Sequence, residues 1–314
     1  MRTGLRRYAP VDAMPTGRTV EVRSADGTRL HTEVFGPDDG YPIVLAHGIT
    51  CAIRVWANQL IDLSRDYRVI AYDHRGHGRS GVPKRRGYGL DFLAADLDAV
   101  LDATLEPGGR AVIAGHSMGG IAITSWSQRY PGRVRECADA VALINTTTGD
   151  LLRDVQFLAV PRPLVAGRVR AGGSLLKTFG AAPLLPGSVQ QSRRFVAALA
   201  VGRDADPAIT DFVFQLFAET PPLGRGGWAR ALVDSLGPKH ISLQHLTVPT
   251  LVIGSSKDRL LPIGASRRIA ADAPNLVSLV ELPGGHCAIL ERPDEVNAQL
   301  RNLVESARDT RLSS

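Results

Sequence analysis

The 314-residue sequence has few cysteines and no long hydrophobic run, and each shortage excludes a class of protein. The three cysteines are widely spaced, so they suggest neither a disulfide framework nor a metal-ligand cluster. No apolar segment approaches the length of about 18 residues that a membrane-spanning helix needs. An apolar signal-peptide core is also missing after Arg2, Arg6 and Arg7. We therefore expect a cytoplasmic protein, with peripheral contact to a membrane as the open alternative.

Charge is distributed unevenly along the chain. Lysine supplies only four of the 37 basic residues, and the net charge at pH 7 is +6. Residues 155–203 contain no acid and seven basic residues: Arg162, Arg168, Arg170, Lys177, Arg193, Arg194 and Arg203. A solvated arginine face explains this run best, and contact with an anionic lipid surface or with the phosphate end of an acyl thioester is the functional alternative. No nucleic-acid recognition motif accompanies the charge, so nucleic acid is not an expected partner.

Short apolar segments alternate with helical segments along most of the chain. Six of them lack the polar alternation of a half-exposed strand: Pro42–Ala46, Arg68–Tyr72, Arg110–Ala114, Ala140–Ile144, Thr250–Ile253 and Asn275–Leu282. Strands buried on both faces of a parallel sheet have this pattern. Amphipathic helical segments such as Asp91–Leu105 lie between them. The order predicts an α/β fold with a doubly wound, mostly parallel sheet, preceded by a hairpin that turns at Asp26-Gly27.

Residues 146–245 interrupt this order, because they have helical periodicity, many prolines and glycines, and no strand pattern. Such an insertion between two strands predicts a helical cap over the carboxyl edge of the sheet, where ligands bind. We therefore divide the chain into a flexible N-terminal arm (1–17), an α/β core (18–145 and 246–314) and an inserted helical cap (146–245).

The strongest chemical signal is the motif GHSMG at residues 115–119. It follows a buried strand segment and opens a helical segment, which is the context of a G-x-S-x-G nucleophile elbow. The sharp turn needs glycine at its flanks, because larger side chains would collide with neighbouring backbone. It also places Ser117 at a helix N-terminus, where free amides favour negative charge. Ser117 is therefore the predicted nucleophile.

A serine nucleophile needs a base, and the base needs a carboxylate that orients it. Among the eight histidines, His286 is the best candidate, since it follows the last strand segment on a glycine-rich loop. Asp258 follows the preceding strand segment and completes the chain order serine, acid, histidine. Asp150, which follows the strand segment before that, is the reserve candidate for the acid.

An acyl transition state also needs two hydrogen-bond donors for its oxyanion. The amide of Met118, directly after the nucleophile, is one, and the amide of Ile49, in the turn after the first core strand, is predicted to be the other. We expect the acyl pocket to be lined by that turn and by aromatic residues of the cap, with these candidates: His47, Gly48, Phe157 and Phe214. No metal and no cofactor is implied.

These motifs together resemble the α/β-hydrolase superfamily over residues 18–145 and 246–308. The matching pieces are His47-Gly48, DHRGHGRS at 73–80, GHSMGG at 115–120, Asp258 and His286. The resemblance implies the α/β-hydrolase fold, a Ser-His-Asp triad and, for 73–80, a structural turn held by Asp73 and His77. Epoxide hydrolases and haloalkane dehalogenases of the superfamily use an aspartate nucleophile, and the serine at position 117 argues against both.

We therefore predict a serine esterase that cleaves medium- or long-chain acyl esters through an acyl-enzyme. A C–C bond hydrolase, a lactonase or a thioesterase with the same triad is the alternative, and haloperoxidase-like activity is a side reaction that the triad can support. A non-catalytic ligand-binding module is not favoured, because such a protein would normally have lost a triad member. The expected partner is a small acyl substrate, and the sequence leaves the oligomeric state open.

Overall fold

The structure, a computed structural model, describes residues 6–83, 87–155, 167, 171–174 and 189–312. Eight strands in these ranges form one sheet: β1 (Arg18–Arg23), β2 (Arg29–Phe35), β3 (Tyr41–Ala46), β4 (Tyr67–Tyr72), β5 (Ala111–His116), β6 (Ala138–Ile144), β7 (Thr250–Ser255) and β8 (Leu276–Leu282). Their order across the sheet is β1-β2-β4-β3-β5-β6-β7-β8. Strand β2 is antiparallel to both of its neighbours, and every other pair is parallel.

The mostly parallel sheet confirms the predicted fold class. Each of the strands β3 to β8 coincides, within two residues at either end, with one of the six apolar segments of the sequence. Gly27 makes the predicted hairpin turn with a φ of +80°, and Arg23 pairs with Arg29 across it. Strands β3 to β7 are buried at nearly every position, as expected for strands that helices cover on both faces. The edge strand β8 differs from the expectation, because most of its residues are exposed or half-buried.

Helices lie on both faces of the sheet, and in the described ranges they are α1 (Ala57–Leu63), α2 (Leu90–Thr104), α3 (Met118–Arg129), α4 (Pro131–Cys137), α5 (Leu151–Asp154), α6 (Val189–Ala200), α7 (Pro207–Glu219), α8 (Pro222–Ser235), α9 (Ile263–Asp272), α10 (Ala288–Glu291) and α11 (Pro293–Leu312). One core layer packs α1, α10 and α11 against the sheet, and includes Leu60 and Leu300. The other packs α2, α3, α4 and α9, and includes Leu97 and Trp126. None of the helices in the described ranges is long and apolar enough to cross a membrane.

Helices α5 to α8 belong to the insertion between β6 and β7, where the cap is predicted. Helix α8 is attached to the core by the indole N–H of Trp228, which donates to the carbonyl oxygen of Arg75 at 2.9 Å. A Cβ atom on Gly224 would lie 2.1 Å from the carbonyl oxygen of Gly76, so the two backbones are in close contact. This half of the insertion therefore packs directly on the loop that follows β4.

The predicted N-terminal arm makes tertiary contacts from Arg6 onward. The amide of Arg6 donates to Asp211 on α7 at 2.8 Å. The ring of Tyr8 stacks on Phe212 of the same helix, with 5.0 Å between the ring centroids. The hydroxyl of Tyr8 also accepts a hydrogen bond from Asn58 of α1 at 2.6 Å. The arm thus connects the insertion to the core.

Candidate active site

Ser117 lies in a sharp turn between β5 and α3. Its backbone has a positive φ, with φ 53° and ψ −115°, which a non-glycine residue rarely adopts. The flanking glycines permit this turn: a Cβ on Gly115 would lie 2.4 Å from the carbonyl oxygen of Gly119, and one on Gly119 would lie 1.9 Å from that of Ala46. The amide of Ser117 donates to Ile144 at 2.9 Å, which ties the turn to the end of β6.

His286 and Asp258 lie next to each other on the loops that follow β8 and β7. The Nδ1 atom of His286 is 2.8 Å from Oδ2 of Asp258, and both side chains are almost fully buried. The other carboxylate oxygen of Asp258 accepts the amides of Leu260 and Leu261, each at 2.8 Å. Because the carboxylate accepts the proton on Nδ1, the neutral ring has its lone pair on Nε2, where a general base needs it.

A hydrogen bond connects the loop of His286 to His116, the residue before the predicted nucleophile. The Nε2–H group of His116 donates to the carbonyl oxygen of His286 at 2.9 Å, and the two ring centroids are 4.9 Å apart. Burial lowers the pKa of His116 to about 3, so this ring is a neutral donor near pH 7. The structure therefore brings all three members of the predicted triad to the carboxyl edge of the sheet.

The turn after β3 lies against Ser117. A Cβ atom on Gly48 would be 3.2 Å from Cβ of Ser117, so only glycine fits here without displacing its neighbours. Among the hydrogen bonds of the described residues, the amides of Ile49 and Met118 donate to no acceptor. Met118 is the first residue of α3, where helix geometry leaves amides unpaired. These two amides are the ones predicted to bind an oxyanion.

Buried histidines hold this turn in place. The ring of His47 is fully buried, donates from Nδ1 to the carbonyl oxygen of Gly48 at 2.7 Å and accepts the amide of His74 at 3.0 Å. The ring of His77 accepts the amide of Thr50 at 2.9 Å. Asp73 accepts the amides of Ile53 and Arg79, both at 2.8 Å. His47 thus lies beneath the turn, whereas Gly48 faces the candidate nucleophile.

The remaining predicted residues lie elsewhere. Asp150 is 3.5 Å from Nε2 of His240 at the root of the insertion, and among the described residues its carboxylate makes neither a hydrogen bond nor an ion pair with His286. Phe214 is buried in α7 and stacks with Phe217, with 6.4 Å between centroids. Phe157 and four of the seven basic cap residues lie outside the described residues: Arg162, Arg168, Arg170 and Lys177.

Two polar side chains near the triad were not predicted from the sequence. Asn145, directly after β6, donates from Nδ2 to Oδ2 of Asp258 at 3.1 Å. Glu291 accepts the amides of Gly285, beside His286, and Gly202, in the insertion, at 2.9 and 3.1 Å. Burial raises the pKa of Glu291. The only signal for Asn145 is its position at the end of a buried strand, and Glu291 belongs to no motif.

The arrangement suits acyl transfer without a metal. A serine oxygen at an elbow, an imidazole oriented by a carboxylate, and two unpaired amides beside the serine are the components that this chemistry requires. Within the described ranges, no group of three His, Cys, Asp or Glu side chains is placed to hold a metal ion.

The chain resembles known proteins in sequence and in fold. The profile of the alpha/beta hydrolase fold family matches residues 41–293. Over 261 residues the chain is 32% identical to a Variovorax paradoxus protein provisionally named carbamate hydrolase RutD, a match covering 82% of this chain and 89% of the relative. A 115-residue stretch is 44% identical to a non-heme chloroperoxidase of Streptomyces lividans, covering 36% of this chain and 41% of that protein. A thermophilic esterase of Thermogutta terrifontis has a TM-score of 0.72 at 21% identity, covering 93% of this chain and 99% of the other.

Proposed function

Since the chain belongs to the alpha/beta hydrolase family, we propose that it is a serine hydrolase that cleaves carboxylic esters with Ser117, His286 and Asp258. The hydrogen bond between His286 and Asp258 carries this proposal, because it leaves Nε2 as the free basic nitrogen of a buried imidazole. The sharp turn at Ser117 presents a hydroxyl at the same edge of the sheet.

The reaction follows from these positions. Nε2 of His286 takes the proton of Ser117 as the serine oxygen attacks the ester carbonyl, and the amides of Ile49 and Met118 bind the oxyanion. The C–O bond of the ester breaks, His286 returns its proton to the departing alcohol, and the acyl group stays on Ser117. A water molecule then gives a proton to His286 and attacks the acyl-enzyme, which releases the carboxylic acid and restores the serine. Asp258 holds the imidazole in this orientation and stabilises the imidazolium that forms in each half-reaction.

Medium- or long-chain acyl esters are the preferred substrates under this proposal. Apolar residues of the insertion, among them Phe212, Phe214 and Leu216 on α7, support it by giving the region above the sheet an apolar interior. Activity restricted to two-carbon esters would refute the proposed preference for longer acyl chains, but it would not contradict the proposed triad.

The test is hydrolysis of p-nitrophenyl esters from two to sixteen carbons by the wild type and by Ser117→Ala. Loss of a triad nucleophile should lower kcat by a factor on the order of 10⁶. A fluorophosphonate probe should label the wild type at Ser117 and should not label the variant. An unlabelled wild type, or a variant as active as the wild type, would refute the proposed nucleophile.

A second candidate function keeps the acyl-enzyme and changes the molecule that attacks it. The similarity to a non-heme chloroperoxidase favours perhydrolysis, in which hydrogen peroxide replaces water and the product is a peracid that oxidises halide. Bromination of a phenolic dye in the presence of acetate, peroxide and bromide would reveal this activity, and Ser117→Ala should abolish it. C–C bonds, lactones and thioesters remain substrates to assay if the ester series gives no turnover while Ser117 is labelled.

A further inference from the structure

We propose that Asn145 is a positioning residue that orients the carboxylate of Asp258 for His286. The inference rests on the proposed function, because it takes Asp258 and His286 as the acid and base of a serine hydrolase. Asn145 directly follows β6, the strand that separates the strand of the nucleophile, β5, from the strand of the acid, β7. Its side chain is fully buried.

The amide group of Asn145 contacts the same carboxylate oxygen as the base. Its Nδ2 atom lies 3.1 Å from Oδ2 of Asp258, which also accepts Nδ1–H of His286 at 2.8 Å. The amides of Leu260 and Leu261 occupy Oδ1. The carboxylate therefore has four donors, two on each oxygen, and together they hold its plane fixed.

Asn145 makes this contact from a backbone conformation that residues other than glycine rarely adopt. Its φ is 44°, and only three other non-glycine residues of the described ranges have a positive φ: Thr50, Ser117 and Asp150. Asparagine tolerates this region better than most residues, whereas glycine would fit it but could not donate. The Oδ1 atom of Asn145 is buried and has no hydrogen-bond partner among the described residues. Backbone strain at a buried position beside the acid indicates a functional demand.

A neutral donor is required here because of the charge on Asp258. A carboxylate at position 145 has the same shape as the amide, but its oxygen would replace Nδ2 at 3.1 Å from Oδ2 of Asp258. Two carboxylates at this distance cannot both be ionised near pH 7 and would share a proton. When that proton is on Asp258, His286 loses its ionised partner. The substitution Asn145→Asp therefore tests the charge without changing the volume of the side chain.

The experiment measures the rate of fluorophosphonate labelling of Ser117 between pH 5 and pH 9, together with kcat and KM for the best p-nitrophenyl ester. For Asn145→Asp we expect the acid limb of the labelling rate to move to higher pH by about one unit or more. For Asn145→Ala we expect kcat to fall by about 10- to 100-fold, the typical effect of losing a hydrogen bond to a charged group, with little change in KM.

Gln59 on α1 provides a matched control. It is also fully buried, its Nε2 donates to Ile289 and Asn297 at 3.2 and 3.0 Å, and its Oε1 has no partner among the described residues. Gln59→Ala should lower the melting temperature as Asn145→Ala does, yet keep the acid limb of the wild type. If the Asn145 variants behave like this control, with lower stability but an unchanged acid limb and kcat, the proposal is wrong.

The labelling rate separates this inference from the ester hypothesis, because the reaction with fluorophosphonate requires the nucleophile and its base but no particular ester. A wild type that is labelled but hydrolyses no ester would refute the ester hypothesis alone, and a shifted acid limb in Asn145→Asp would still support the positioning role. A wild type that is not labelled at any pH would refute both. If Asn145→Ala does not fold, the isosteric Asn145→Asp variant decides the question.

Discussion

Lowering the pH from 8 to 5 should destabilise the folded chain, because four imidazoles near the candidate site are buried without charge. Burial lowers the pKa of His74 and of His116 to about 3 and that of His77 to about 4, and it also lowers the pKa of His47. Each ring already donates one N–H to a backbone carbonyl. A second proton would place a charge in a buried position, so the folded chain does not bind it at pH 5.

The magnitude follows from proton linkage. An imidazole in the unfolded chain has a pKa of about 6.5, so it binds a proton at pH 5. Because the folded-state pKa is depressed, the stability is present above about pH 6.5 and is lost as the pH falls. At pH 5 each ring lowers the free energy of unfolding by about 2 kcal/mol, or about 6 kcal/mol for the three rings with a pKa of 4 or below, in a domain stabilised by roughly 5–15 kcal/mol. Burial raises the pKa of Asp73 and Asp96, and protonation of these carboxyls acts in the opposite direction.

The assay is urea unfolding followed by tryptophan fluorescence at several pH values between 5 and 8. His74→Gln removes one titrating ring, while its side-chain amide can still donate to the carbonyl oxygen of His47. The loss of stability between pH 8 and pH 5 should be about 2 kcal/mol smaller in this variant than in the wild type. His245→Gln is the control, since that ring is not buried and contacts the neighbouring Gln244. A free energy of unfolding that is constant from pH 8 to pH 5, or an equal loss in His74→Gln and wild type, would refute the reasoning.

Three further substitutions probe the packing and the triad. Gly119→Ala should abolish soluble expression, because its Cβ would lie 1.9 Å from a backbone oxygen of β3. Gly264→Ala should express normally, because outside its own helix backbone its Cβ would meet only Nη1 of Arg268, at 3.7 Å. Asp258→Asn should lower kcat by about 10⁴ while the protein stays folded by circular dichroism, and a smaller loss than tenfold would contradict the role of this acid. Trp228→Phe should lower the free energy of unfolding in urea by about 1–3 kcal/mol, since it leaves the buried carbonyl of Arg75 without its donor, and an unchanged stability would show that this contact is dispensable.

The fold and the elbow could be predicted because both are local patterns in the chain. A parallel strand covered on both faces is apolar at almost every position, so β3 to β7 stand out as short apolar segments between helical ones. The elbow is equally local, since Gly115 and Gly119 lie within five residues, and a Cβ added to either would lie 2.4 Å or less from a backbone atom. The apolar strand pattern and the glycines of the elbow each fall on neighbouring positions of the chain. They can therefore be recognised without knowledge of the tertiary structure.

Contacts between distant segments could not be predicted in the same way. Asn145 and Asp258 are 113 residues apart, and only the pairing of β6 with β7 brings their side chains together. Glu291 reaches Gly202 across 89 residues, although neither residue belongs to a motif. The sequence predicts that His47 lines the pocket, because it adjoins Gly48. The direction of its ring, however, depends on the hydrogen bond that it accepts from the amide of His74, in the loop after β4. Long-range hydrogen bonds depend on topology and register, which a single sequence does not reveal.

The strand order explains why the end of β6 matters for the chemistry. Ser117 follows β5 and Asp258 follows β7, and since neighbouring strands are about 4.8 Å apart, roughly 10 Å separates the strands from which they start. His286 lies on the loop that follows β8, and this loop must pass over β7 to bring the imidazole toward β5. The space between the acid and the nucleophile therefore lies above the end of β6. The side chain at that end, Asn145, faces the acid. An apolar residue there would leave one oxygen of Asp258 with a single donor, and an acidic residue would compete with it for a proton. A small, neutral donor is therefore the side chain that this topology favours.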